Sequence, residues 1–213
     1  WGSIRGTSAE EKDRILLSMA ASLEECAGDI LACNGQDMDR ARGHISEVML
    51  DRLRLDEERV RGMADGIRAT AALPDHTGRI LSETVHPNGM HIYKVQVPLG
   101  LVAIIYESRP NVTSDAAALA IKSGNVCMLR SGKEAILSAR AIVRALKKGI
   151  AAAGGGEDLV NIVEATGHAR GAGPLQAKGL LGLPLPRGGQ RPIFPPASTP
   201  TVPRHQTRTG TFP

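Results

Sequence analysis

The stretch that most restricts the fold is Leu101-Val102-Ala103-Ile104-Ile105-Tyr106, an unbroken apolar row behind Gly100. A strand wet on one face alternates apolar with polar positions. An unbroken row belongs to a strand covered on both faces, which is the habit of parallel sheets. Parallel strands need a crossover between them. The sequence supplies one, as a polar loop over 107–113, a helical stretch over 115–122 closed by Gly124, and a second short strand, Val126-Cys127-Met128-Leu129. The loop Arg130-Ser131-Gly132-Lys133-Glu134 then feeds a helix over 135–153. Gly154-Gly155-Gly156 releases the chain into Leu159-Val160-Asn161-Ile162-Val163. This β-α-β-α-β order predicts half of a doubly wound, Rossmann-like α/β sheet, whose ligands bind beyond the carboxyl ends of the strands.

Two loops lie at those ends and form the candidate site. The first is Glu107-Ser108-Arg109-Pro110-Asn111-Val112-Thr113. The second, Arg130 to Glu134, sets two cations, a hydroxyl and a glycine just before a helix N-terminus, where amides and dipole favour a phosphate. Spacing alone leaves two readings open for it, a phosphate site and a solvated turn carrying surface charge. It is not a P-loop, because Glu134 follows Gly132-Lys133 where Ser or Thr is needed and Cys127 stands where the first glycine should. Neither strand leads into a Gly-x-Gly-x-x-Gly turn.

Upstream, Ser8-Ala9-Glu10-Glu11 reads as a capping box. Ile15, Leu16, Met19, Leu23, Cys26 and Ile30 follow at helical spacing, predicting one long first helix. Asp56-Glu57-Glu58 opens another amphipathic helix, with Val60, Met63, Ile67 and Ala71 on one face, ended by Pro74. The period then changes to two. The segments 80–85 and 90–97 flank His86-Pro87-Asn88-Gly89, where Asn-Gly signals a hairpin because both residues tolerate positive φ.

Charge divides the chain near residue 166. Beyond it lie six of the 26 basic residues, none of the 22 acidic ones and nine of the 13 prolines, which leaves residues 1–165 at formal −2. We therefore expect two regions, a folded 1–165 and a degenerate 166–213 that is poorly ordered except around Pro186 to Gly189. The overall +4 belongs to the tail and does not make the folded part a nucleic-acid binder, and the tail's Phe194 and Phe212 give little stacking surface. No apolar run approaches the roughly 18 residues of a membrane span, and the first residues lack a secretory signal, so we expect a cytoplasmic chain. Its start at Trp1 suggests a piece of a longer protein. Cys26, Cys33 and Cys127 have no metal-ligand spacing, which argues against a zinc site or a disulfide framework.

Several runs go beyond pattern. Val97-Pro98-Leu99-Gly100, Ile105-Tyr106-Glu107-Ser108-Arg109-Pro110-Asn111-Val112-Thr113, Ala116-Ala117-Ala118-Leu119 and Lys122-Ser123-Gly124-Asn125 closely resemble the signature region of the γ-glutamyl phosphate reductases, of the aldehyde dehydrogenase superfamily. The resemblance extends back through Leu50-Asp51-Arg52-Leu53 and Pro87-Asn88-Gly89-Met90 and forward to Ala135, covering about 8–164. It implies an aldehyde-dehydrogenase-like fold with N-terminal helices, an oligomerisation hairpin over 80–97 and homo-oligomers, although the same residues also read as an ordinary edge hairpin. It implies reduction of L-glutamyl 5-phosphate by NADPH to glutamate 5-semialdehyde and phosphate in proline biosynthesis, with glutamate 5-kinase as a functional neighbour. By the same resemblance Arg130 lies near the adenosine ribose, where it would meet the 2′-phosphate. Ser131, Gly132 and Lys133 would complete the cofactor loop, Gly188 and Gly189 would contact the nucleotide, and Asn111 would polarise the acyl oxygen. Asn111 reads equally as a turn-former after Pro110. The family's nucleophilic cysteine forms a thioester. None of Cys26, Cys33 and Cys127 has its context, so we expect it beyond Pro213 and this chain to be inactive alone. A catalytically dead, oligomerising or regulatory member is the alternative. In the tail, Pro174, Pro184, Pro195 and Pro196 are expected to interrupt strand and helix positions, and reading-frame shifts in a GC-rich gene would produce such a segment.

Overall fold

The capping box at Ser8 forms in full. Glu11 N–H donates to Ser8 Oγ at 3.2 Å and Ser8 N–H to Glu11 Oε2 at 2.8 Å, opening α1 (Ala9–Glu25). The structure is a computed structural model, and it describes residue 4, residues 6–163 and the backbone of residues 183–187. It divides the expected long first helix. Cys26 leaves helical geometry at φ −93° and ψ 11°, and α2 (Ala27–Ala41) begins behind it. Cys26 N–H still donates to Ser22 O and Ile30 N–H to Cys26 O, so the joint is a bend, placed where Gly28 lowers helix propensity.

A short helix that the sequence reading did not anticipate, α3 (Glu47–Leu53), is capped by Ser46 Oγ. The next, α4 (Glu57–Ala71), is capped by Asp56, which accepts from Arg59 N–H at 2.8 Å. The hairpin joins β1 (Ile80–Val85) to β2 (His91–Val95). Only Gly89 of the Asn-Gly pair has positive φ; Asn88 instead accepts from Met90 N–H through its side chain at 3.1 Å. A carboxamide bond to the backbone replaces the mirror-image turn.

The sheet contains β3 (Leu101–Tyr106), β4 (Val126–Arg130), β5 (Val160–Ile162) and β6 (Leu183–Arg187), all parallel in the order β5-β4-β3-β6. Helices α5 (Asn111–Lys122) and α6 (Ile136–Ala152) are the crossovers, and a single 3-10 turn over Lys133–Ala135 precedes α6. The succession β3, β4, β5 runs one way and β6 lies on the other side of β3. The order therefore reverses between β3 and β6, the place where doubly wound sheets open a ligand crevice. Pro184 does not interrupt β6, contrary to expectation, and neither does Pro186. Spaced two apart, they have their missing N–H groups on the same side of the strand. Leu183, Leu185 and Arg187 keep the donors for β3, and β6 is an edge among the described residues.

Packing is set by helices. Leu16, Met19 and Leu23 of α1 are buried with Met63 and Ile67 of α4 and with Ile142, Leu146 and Ile150 of α6. Where α1 crosses α6, a Cβ on Gly149 would lie 2.6 Å from both Met19 Cα and Ser18 O, and Ser18 Oγ donates to Gly149 O at 2.7 Å. Lys122, almost fully buried, closes the base of α5 by pairing with Asp13 and donating to Ala71 O. No described helix is long and apolar enough to cross a membrane. Residues 166–182 and 188–213 lie outside the described residues, and with them most of the expected degenerate tail.

Candidate functional site

Two loops meet beyond the carboxyl ends of β3 and β4. Ser108, buried in the first, donates from Oγ to Glu134 Oε2 of the second at 2.9 Å. A Cβ on Gly132 would come within 2.9 Å of that Oγ and 3.1 Å of that carboxylate, so glycine is what permits the loops to stack. Tyr106, the last residue of β3, shares a 2.7 Å hydrogen bond with Thr113 Oγ1. Burial pushes its phenol far above the ordinary range, so it stays neutral and serves to seat the N-terminus of α5.

Arg130 ends β4 in register with Ile105. Its Nε and the Oγ of Ser131 are buried without a hydrogen-bond partner among the described residues, whereas Lys133 is exposed. Buried polar atoms are normally paired, so two orphans side by side fit a polar ligand that completes them. The expected amide cradle at the start of α6 is, however, already occupied by Asp37 of α2. This carboxylate accepts from Ser138 N–H and Ser138 Oγ, each at 2.7 Å, and from Leu137 N–H at 3.4 Å. Burial raises the Asp37 pKa against these bonds. A phosphate at this loop would therefore meet the side chains of Arg130, Ser131 and Lys133 rather than free helix amides. No signal local to 130–138 announces a cap delivered from a hundred residues upstream.

Asn111 is the first residue of α5, exposed, with no side-chain hydrogen bond among the described residues. It borders a cleft of about 500 Å³ that the sequence reading missed, built from the α3–α4 corner and the β3–α5 loop. The density of arginine at Arg52, Arg54, Arg59 and Arg61 was its only trace. Gly188 and Gly189 lie outside the described residues, directly after Arg187, which pairs with Tyr106 at the end of β6. None of the cysteines lines the cleft. Cys127 is fully buried in β4 and its thiol is pushed up to about 12 by burial, while Cys26 and Cys33 are half-buried on the N-terminal helices.

No family model matches the chain. Individual proteins do. It is 52% identical over 208 residues to a γ-glutamyl phosphate reductase of Neisseria meningitidis and 49% identical over 208 residues to one of Streptococcus suis. Each alignment spans 98% of this chain and 50% of the relative. The aligned length runs well past residue 164, where close resemblance had seemed to end. Among solved structures, the γ-glutamyl phosphate reductase of Thermotoga maritima superposes with a TM-score of 0.85 at 34% identity, covering 89% of this chain and 46% of that one. The Saccharomyces cerevisiae enzyme gives 0.78 at 28%, covering 88% and 48%. An aldehyde dehydrogenase from Listeria monocytogenes, 13% identical with a TM-score of 0.63, shares the fold alone. The chain spans about half the length of the curated relatives it matches, and over that half it belongs to the γ-glutamyl phosphate reductase family, with the aldehyde-dehydrogenase-like fold.

Proposed function

We propose that this chain is the nucleotide-holding part of a reductase that converts L-glutamyl 5-phosphate to L-glutamate 5-semialdehyde and phosphate, in proline biosynthesis. The observation that carries the reading is the pair of orphaned donors at Arg130 and Ser131, at the strand ends of a chain half identical to such reductases. NADPH bound there supplies the hydride. Arg130 and Lys133 hold the charge of its 2′-phosphate, Ser131 Oγ gains a hydrogen bond, and Gly132 keeps the loop against Ser108. Gly188 and Gly189 are assigned to the nucleotide by the family resemblance alone. Asn111, whose carboxamide has no partner among the described residues, donates to the acyl oxygen as charge develops there.

The nucleophilic thiol is not Cys127, whose burial withholds the thiolate, nor Cys26 or Cys33, which do not line the cleft. An acyl phosphate is labile, so a kinase acting on glutamate, glutamate 5-kinase, must supply it nearby, which suits a cytoplasmic enzyme. The hairpin exposes Ile80, Leu81, Val85, Ile92, Tyr93 and Val95 and is suited to pairing with a second copy, making a homo-oligomer. That exposed hairpin also favours a second reading, a catalytically silent oligomerising subunit.

Nucleotide binding tests the proposal. Titrated with NADPH and NADH, the chain should prefer NADPH, and Arg130→Glu should weaken NADPH by about ten- to a hundredfold while changing NADH little. Equal losses for both cofactors would remove Arg130 from the phosphate contact. No binding of either would refute the nucleotide site. A silent subunit without cofactor affinity predicts that last result.

A further inference from the structure

The cleft beside Asn111 carries more positive charge than its own acids neutralise. Arg52, Arg54, Arg59 and Arg109 line it, with Asp51 and Asp115. Asp51 accepts from Arg54 Nη2 at 2.8 Å and from Arg59 Nη2 at 3.1 Å, and Arg59 Nη1 also donates to Asp51 O at 2.6 Å and Arg54 O at 2.7 Å. These two guanidinium groups are structural, holding the α3–α4 corner. Arg52 and Arg109 are different, because neither guanidinium has an ion-pair or hydrogen-bond partner among the described residues. They arrive from separate parts of the chain, the last turn of α3 and the loop after β3, yet border the same space. Two like charges on one lining repel unless an anion stands between them. A guanidinium presents a planar fork of donors that matches a carboxylate or a phosphate. Leu55 and Met63 on the same lining offer apolar surface to a short methylene chain, and Gly62 leaves room beside it.

We propose that Arg52 and Arg109 bind the α-carboxylate of an amino-acid substrate whose side-chain acyl group lies at Asn111. The cleft thereby selects a γ-glutamyl substrate over an acyl group with no charged end. This inference rests on the reductase reading, and it gives that reading its substrate specificity.

Calorimetric titration with L-glutamate and with 4-aminobutyrate, which is glutamate without its α-carboxylate, tests it directly. NADPH affinity and circular dichroism are recorded alongside. Glutamate should bind about tenfold or more tightly, the scale of charge-assisted hydrogen bonds to a carboxylate. In Arg52→Gln/Arg109→Gln that preference should vanish while NADPH affinity and the dichroism spectrum stay unchanged, since both side chains are exposed and have no partner among the described residues. Equal affinity for the two ligands in the unaltered chain overturns the proposal, as does a preference that survives in the double variant. Binding of inorganic phosphate without binding of glutamate also overturns it, marking a site for free oxyanions. A glutamate preference without NADPH binding would support the carboxylate site and refute the cofactor assignment instead.

Discussion

Gly149 should be one of the least replaceable residues in the helical layer, and a pair of alanine substitutions measures this. An added Cβ meets Met19 Cα and Ser18 O at 2.6 Å and Met19 N at 2.8 Å, all backbone atoms of α1 that cannot rotate aside. Relief to ordinary contact, about 3.5 Å between carbons, requires α1 and α6 to separate by just under about 1 Å. Such a gap forfeits a quarter to a half of each dispersion contact along the crossing and stretches the 2.7 Å bond from Ser18 Oγ to Gly149 O. Overpacking of this kind costs about 1–3 kcal/mol beyond the gain in helix propensity, itself about 1 kcal/mol for Gly to Ala. We expect Gly149→Ala to lose about 2 kcal/mol net, lowering Tm by about 4–8 °C at this chain length. Gly35 sits in α2 with nothing within 4 Å of its virtual Cβ. Gly35→Ala therefore keeps the propensity gain, and Tm should rise by about 2–4 °C. Differential scanning fluorimetry of both variants beside the unaltered chain reads the contrast. A Gly149→Ala protein as stable as its parent would refute the close crossing of α1 and α6.

Asp37 provides a pH signature. Its pKa is raised by burial in the folded state, so the fold favours the protonated form; that contribution is fully present below the ordinary carboxylate value and is lost as pH rises through the raised one. The Tm of Asp37→Asn, measured relative to the unaltered chain, should climb from acidic to neutral pH, and a difference that stays flat would show Asp37 to titrate normally. For the proposed homo-oligomer, Ile92→Asp with Tyr93→Asp charges both faces of β2, where both residues are about half exposed. Sedimentation should then show a smaller species without loss of helical dichroism, and an unchanged mass would exclude the hairpin from the interface.

Local signals in the sequence were enough for most elements. The capping box at Ser8, the acid cap at Asp56, the Asn88-Gly89 turn and the unbroken row at Leu101 act within a few residues, so each could be read directly, as could the two loops at the strand ends. The same locality set the errors. Apolar spacing runs on through Cys26 although the helix bends there, and Pro184 argues against a strand unless its neighbour across the ladder is known. Only tertiary structure decided that β6 lies beside β3 and so where the strand order reverses. It also decided that Asp37 occupies the amides opening α6, and that Arg52 and Arg109 share one cleft. Periodicity and capping are properties of a single turn of chain. Which residue meets a given helix end, glycine or guanidinium depends on how separate elements pack, and that leaves no mark on the sequence near either partner.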